Sequence, residues 1–460
     1  MALTTAPAID YALPRQQDEG DHWIDDWRPE DPVFWETIGR PIARRNLIFS
    51  IFAEHVGFSV WMLWSIVVVQ MTAAAPGHPA ASGWALSASQ ALCLVAVPSG
   101  VGAFLRLPYT FAIPIFGGRN WTTVSAALLV IPCLLLAWAV SHPSLPFAVL
   151  VVIAATAGFG GGNFASSMAN ISFFYPEKDK GWALGLNAAG GNIGVAVVQK
   201  IIPPIVVAGS GVALSRAGLF FVPLAVAAAV CAFLFMNNLT EAKADVKQSL
   251  RHADTWIMSL LYIGTFGSFI GYSAAFPTLL KTVFGRGDIA LGWAFLGAGI
   301  GSLVRPLGGK LADRIGGARI TAASFVMLAA GAAAALWSVQ SVNLPVFFVS
   351  FMFLFVATGI GNGSSYRMIS RIFQVKGEVA GGDPETMVNM RRQAAGALGI
   401  ISSIGAFGGF VVPLAYAWSK VHFGNIEPAL HFYVAFFLAL LVVTWYCYLR
   451  RTTPMGQVGV

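Results

Sequence analysis

GVGAFLRLPYTFAIPIFGGRNWT at 100–122 aligns without a gap on GIGSLVRPLGGKLADRIGGARIT at 299–321. Gly100, Gly102, Arg106, Gly117, Gly118 and Thr122 fall on Gly299, Gly301, Arg305, Gly316, Gly317 and Thr321 at one constant offset. Further out, Gly158, Gly160 and Gly162 fall on Gly359, Gly361 and Gly363, and Leu184, Gly185, Gly191 and Gly194 on Leu398, Gly399, Gly405 and Gly408. Glycine is common here, so one match means little; three in chain order at similar offsets mark a sequence written twice.

The repeat sits in an apolar chain. Hydrophobic residues make up 57% and charged residues 11% of its 460 residues, outside the range of soluble globular domains. A spanning helix needs about 20 mostly apolar residues. That criterion predicts twelve spans at about 47–71, 85–112, 121–141, 146–174, 181–207, 216–236, 256–282, 289–311, 320–340, 344–372, 394–418 and 428–449. The fold class is therefore an all-α membrane protein, with twelve transmembrane helices in two pseudo-symmetric six-helix halves. Parallel six-helix repeats are the pattern of carriers whose halves rock about a site near the bilayer midplane.

The division along the chain is an N-terminal arm at 1–43, a first half at 44–236, a linker at 237–255, a second half at 256–450 and a tail at 451–460. The arm is polar and acidic, with Asp18, Glu19, Asp21, Asp25 and Asp26, and has no basic start or cleavage site of a signal peptide. The formal charge of +7 comes from basic residues in short loops, which speaks for membrane orientation and against nucleic acid. Arg40, Arg44, Arg45, Arg119, Lys178, Lys180, Lys243, Lys247, Arg251, Arg314, Arg319, Lys376, Arg391, Arg392, Arg450 and Arg451 share one side, and the positive-inside rule makes it cytoplasmic. Both termini are then cytoplasmic, in a bacterial inner membrane; Arg216, Lys281, Arg286 and Lys420 are exceptions on the other side. Cys93, Cys133, Cys231 and Cys447 all lie within spans and read as packing residues.

Arg106 and Arg305 are the most informative residues. Asp313 marks the cytoplasmic end of its helix, so Arg305, one repeat of two helical turns earlier, lies roughly 12 Å into the membrane. The repeat puts Arg106 at the same depth. A charge there costs at least about 2.5–3.5 kcal/mol, so it faces a cavity and has a partner. A structural ion pair would need carboxylates, and Glu54 is the only acidic residue deep within a predicted span. Two fixed guanidiniums with one internal counter-charge point to an anionic substrate. The guanidinium fork matches a planar oxyanion such as nitrate, nitrite, a carboxylate or bicarbonate.

GGKLADRIGG at 308–317, with Asp313 and Arg314, resembles the loop signature of the major facilitator superfamily; its first-half copy, YTFAIPIFGG, has lost the Asp and Arg. LRLPYTF at 105–111, GGGNFASSMANISFFYP at 161–176, NAAGGNIG at 187–194, WIMSLLYIGTFGSFIGYSA at 256–274, ALGIISSIGAFGG at 397–409 and DWRPEDPVFW at 26–35 resemble the nitrate/nitrite porter (NarK-type) family of that superfamily. The resemblance covers nearly the whole chain. It implies a central site in which Arg106 and Arg305 clamp the anion, with aromatic contacts at Phe164, Tyr262 and Phe266 and signature residues at Asn192 and Ser402. It implies nitrate and nitrite as substrates and a carrier functional as a monomer.

IFAEHVGFSVWMLW at 51–64 departs from family members with an uncharged first span, since Glu54 and His55 stand where the repeat has Gly264 and Thr265. Glu54 and His55 are thus candidates for proton coupling, or Glu54 holds an arginine in the empty carrier. The expected activity is nitrate/nitrite exchange, with proton-coupled nitrate symport or carriage of another small monovalent anion as alternatives. A membrane sensor keeping the carrier fold is a third. With no metal-ligand cluster, nucleophile triad or phosphate loop in the sequence, no catalytic residues, metal or other cofactor are expected.

Overall fold

The computed structural model describes residues 22–73, 78–209, 211–240, 246–458 and 460. Among them are twelve helices long and apolar enough to cross a membrane: α1 (Pro32–Met71), α2 (Ala88–Phe116), α3 (Gly118–Ala139), α4 (Phe147–Phe174), α5 (Glu177–Val207), α6 (Ser215–Phe235), α7 (Ala253–Phe284), α8 (Gly287–Ile315), α9 (Gly317–Gln340), α10 (Leu344–Val379), α11 (Glu385–Phe423) and α12 (Glu427–Leu449). They match the twelve expected spans one for one. The even number of crossings puts both chain ends on one side, called here the terminal side.

Several helices run past the apolar stretches on that side. α1 begins at Pro32, α10 continues to Val379, and the helix containing α11 starts at Pro384. Hydropathy sees only the lipid-facing part; the added turns are polar and are started by caps. Asp31 Oδ1 accepts the backbone N–H of Val33 at 2.9 Å and of Phe34 at 3.3 Å, and Asp383 Oδ1 accepts that of Thr386 at 3.0 Å. Each is followed by proline, whose missing N–H costs nothing in a first turn.

The described part of the expected arm is docked on the bundle. Trp23–Ile24 pairs in parallel with Asn238–Leu239 of the linker. Trp27 donates its indole N–H to the Phe173 carbonyl at 3.1 Å and meets Phe34 and Phe174 edge-on. Asn238 Oδ1 accepts the N–H groups of Arg119 at 2.9 Å and Asn120 at 3.3 Å, satisfying two orphan donors at the start of α3. Asp18, Glu19, Asp21 and Lys243 lie outside the described residues.

Between the halves, α2 packs on α11 and α5 on α8, while within them α2 packs on α4 and α8 on α10. Glycines bring these backbones together: a Cβ at Gly160 would overlap the Gly57 carbonyl oxygen, and one at Gly363 the carbonyl oxygen of Arg305. Small residues at such contacts let helices approach closely in lipid, where no hydrophobic force drives them together. The consequence for the site is positional. Arg305 is carried on a helix whose backbone is pressed against α10.

Candidate functional site

Arg106 on α2 is fully buried and Arg305 on α8 is 4% exposed. The Arg106 guanidinium is anchored by backbone: Nε donates to the Gly161 carbonyl at 3.1 Å and Nη1 to the Ser402 carbonyl at 3.0 Å, which ties α2 to α4 and, across the halves, to α11. Its Nη2 is buried with no partner. Arg305 makes no such backbone bond; its Nη1 is buried and unpartnered, and its guanidinium interacts with the side chain of Tyr262. Both guanidiniums rest on one ring. Arg106 Cζ is 4.6 Å and Arg305 Cζ 5.8 Å from the centroid of Phe164.

The other two expected aromatics continue from that ring. Phe266 stacks on Phe164 at 5.7 Å and Tyr262 on Phe266 at 5.2 Å, so one column of three rings crosses from the first half to the second. Arg106 also lies 4.9 Å from Phe266. A single π-helical turn, Ile263–Gly267, interrupts α7 at this level, and such turns concentrate at functional sites. These faces make an apolar wall beside the two guanidiniums, where charges interact more strongly than they would in water.

Glu54 on α1 is the single buried carboxylate among the described residues. It is within electrostatic range of Arg305 and Arg106 but forms an ion pair with neither. Its Oε2 accepts the Ser167 hydroxyl at 2.5 Å and the Asn187 amide at 2.8 Å, while Oε1 is buried and unpartnered. In the second half an uncharged side-chain bond joins Thr265 on α7 to Ser365 on α10 at 3.1 Å. His55 points elsewhere, with Nδ1 3.0 Å from the Gly190 carbonyl, as expected of neighbours about 100° apart on a helix. Asn192 is buried on α5 with neither amide atom partnered, and no hydrogen bond joins it to the arginines. Ser402 meets Arg106 through its carbonyl, while its hydroxyl donates to Gly399 O at 3.0 Å.

Residues 47–383 match the family model described as Major Facilitator Superfamily. The chain is 40% identical to the nitrate/nitrite transporter NarU of Salmonella typhimurium, over 93% of this chain and 96% of that protein. It is 32% identical to the probable nitrate/nitrite antiporter NarK2 of Thermus thermophilus, over 93% and 97%. The fold also matches the crystal structure of a D-xylose-proton symporter, with a TM-score of 0.65 at 16% identity over 87% of this chain and 96% of that one. The chain belongs to the nitrate/nitrite porter family of the major facilitator superfamily.

Members of this superfamily are carriers and not enzymes, and in this porter the two sides of the arginine layer differ. On the terminal side a narrow cavity lies below Phe164, lined by Thr110, Met168, Ser172, Tyr366 and Ser402 and leaving about 20 Å³ for the centres of water-sized particles. That is room for a water or a small ion. On the far side the halves are tied together. Gln199 donates to Ser65 at 3.0 Å and to the Ser273 carbonyl at 2.8 Å, and Lys281 Nζ on α7 donates to the carbonyls of Val69 and Thr72 at the end of α1, at 2.6 and 2.8 Å. Lys281, an exception to the charge bias, thus closes the porter on that side.

Sequence reasoning missed four contributors. Trp61 lies 5.5 Å from Arg106 with its indole N–H on the Pro98 carbonyl, and Tyr366 lies 5.5 Å from Arg305 and borders the cavity. Ser167 and Asn187 hold Glu54. Trp61 is hidden in an apolar run, VGFSVWMLW; the others stand inside or beside the glycine-rich stretches and had no feature to set them apart.

Proposed function

We propose that this porter carries nitrate and nitrite by alternating access, binding the planar anion between Arg106 and Arg305, and that its activity is nitrate/nitrite exchange. The observation that carries this reading is a pair of buried guanidiniums, each with an unpartnered terminal nitrogen, facing one carboxylate that is bonded elsewhere. A monovalent anion supplies the missing acceptors and cancels the excess charge. The relatives named for nitrate and nitrite transport support the choice among planar anions. In the empty site the terminal nitrogens of both guanidiniums lack acceptors and a bound anion supplies them, so the halves rock more easily when loaded. Exchange follows from that difference.

The porter sits in a bacterial inner membrane with both termini in the cytoplasm, in keeping with its basic loops, and works as a monomer. The domain division into arm, first half, linker, second half and tail stands on the same grounds. Asn192 belongs to the anion path on the strength of its two unpartnered amide atoms. Counterflow in liposomes tests the function: external nitrate should exchange with internal nitrite, and a folded porter that moves neither ion would overturn it.

Phe164→Ala or Phe266→Ala should weaken nitrate binding about tenfold and relax selectivity towards larger anions. Each change removes a wall that both excludes water and touches a guanidinium, an effect of about 1–2 kcal/mol. Competition binding with chloride, acetate and bicarbonate reads it. Unchanged affinity and selectivity in both variants would reduce the rings to packing.

A second reading has an observation of its own. Glu54 is a buried carboxylate with a free oxygen, and such a group within a membrane is a natural proton carrier. Proton-coupled nitrate symport through Glu54 would then replace exchange. His55, bonded to the Gly190 carbonyl and not to Glu54, is the weaker member of the pair.

A further inference from the structure

Lys281 and Lys420 stand on the far side, against the charge bias of most basic residues. Lys281 Nζ crosses from α7 to the end of α1, where it takes the carbonyls of Val69 and Thr72. Val69 needs such a donor. The N–H of Ala73, which would close the next helical turn on it, goes to the Leu86 carbonyl at 3.0 Å instead. Lys420 Nζ on α11 donates to the Thr282 carbonyl at 3.2 Å, so the two lysines are joined to α7 at adjacent residues. The hydroxyls of Thr278 and Thr282 are buried with no partner.

Neither lysine has a carboxylate. Among the described residues the acids at this end of the bundle are engaged elsewhere, Asp288 with Arg286 at 2.6 Å and Glu427 with the Gln340 amide at 3.1 Å. Packing does not ask for the charges either. At the offset that sets Glu54 on Gly264, Met71 stands where Lys281 does, and at the offset that sets Gly194 on Gly408, Val206 stands where Lys420 does. When the ends of α1 and α7 part, Lys281 loses both carbonyls. Two ammoniums without counter-charge then face the opening.

We propose that Lys281 and Lys420 form a second, weaker anion site at the far-side mouth, where Lys281 exchanges the α1 carbonyls for an anion as that side opens; the site presupposes the alternating access of the preceding section. An ammonium is a point charge without the planar fork of a guanidinium, so the mouth takes chloride as well as nitrate and leaves selection to Arg106 and Arg305. Its work is to raise the local concentration of anion in front of them. The anion also replaces the hydrogen bonds that Lys281 gives up, and so favours the opened far side.

The test is nitrate/nitrite exchange in vesicles of each orientation, with wild type, Lys281→Gln, Lys420→Gln, the double variant and a control, Arg216→Gln, that removes an exposed cation from the same side outside the α1–α7 contact. In proteins that fold as wild type, judged by thermal unfolding, half-saturating nitrate at the far face should rise about threefold in each single variant and about tenfold in the double variant at low salt. It should stay the same at the terminal face, and at both faces in the control. Sodium chloride should raise the far-face value steeply in wild type and hardly at all in the double variant. A lysine that only latched the halves would give the opposite sign, since its loss populates the far-open state and lowers half-saturation at the far face. That result overturns the proposal, as does an unchanged value or an equal rise at both faces. Lys420→Gln keeps the Val69 and Thr72 bonds, so it decides the matter even where Lys281→Gln misfolds. If wild type moves no anion, the transport reading has failed, and chloride NMR line broadening by purified porter decides this site: it should fall in the double variant, and equal broadening overturns the proposal.

Discussion

Arg106→Lys and Arg305→Lys should each weaken nitrate binding about a hundredfold or more in protein that still folds. Lysine keeps the charge and loses the planar fork. A hydrogen bond to a charged group is worth about 1.5–3 kcal/mol, and each change removes at least one to the anion together with the geometry that orients it. The two variants should differ in a second respect. Arg106 also holds the carbonyls of Gly161 and Ser402, so its loss leaves buried acceptors unpaired and should lower thermal stability. Arg305 has no such anchors, and Arg305→Lys should melt close to wild type. Titration calorimetry and thermal unfolding read both effects; wild-type affinity in either well-folded variant would discard the clamp.

Glu54→Gln should leave nitrate/nitrite exchange within a few-fold of wild type and slow net nitrate efflux by tenfold or more. Glutamine keeps an acceptor for Ser167 and Asn187, so the local packing survives. What it removes is the single buried negative charge. The empty site then holds two uncompensated guanidiniums, and one more such charge costs at least about 2.5–3.5 kcal/mol inside a membrane. Loaded carriers rock as before; empty ones stall. Loss of exchange itself in folded Glu54→Gln would contradict the place-holder role. The symport alternative makes a different forecast: an inward proton gradient should drive nitrate accumulation without internal nitrite, and Glu54→Gln should abolish it. Pyranine-loaded liposomes that show no nitrate-linked proton movement under any gradient exclude coupling.

Much of the architecture was legible beforehand because lipid imposes a simple rule. Backbone groups must be satisfied within a helix, so runs of about 20 apolar residues declare the spans, and all twelve appear in order. The helix ends were not legible to the same rule. Pro32, Val379 and Pro384 lie in polar turns, where the determinants are caps such as Asp31 and Asp383. Docking of Trp27 and Asn238 on the terminal side escaped for a related reason: a short polar arm and the start of a linker have no periodic signal.

At the site the division is sharper. The sequence alone determined the two-fold repeat, the matched positions of Arg106 and Arg305 within it, their shortage of counter-charge and, through family motifs, the three rings Phe164, Phe266 and Tyr262, whose stacking into one column came from the structure. Only the tertiary structure decided that Arg106 is anchored by the carbonyls of Gly161 and Ser402, that Glu54 is held by Ser167 and Asn187 instead of an arginine, and that Tyr366 borders the cavity. Only it decided that the far side is shut by Gln199 and Lys281. A charge in lipid is conspicuous along a chain because burying it is costly. A carbonyl is the same at every residue, so which one an arginine meets depends on how the two halves pack.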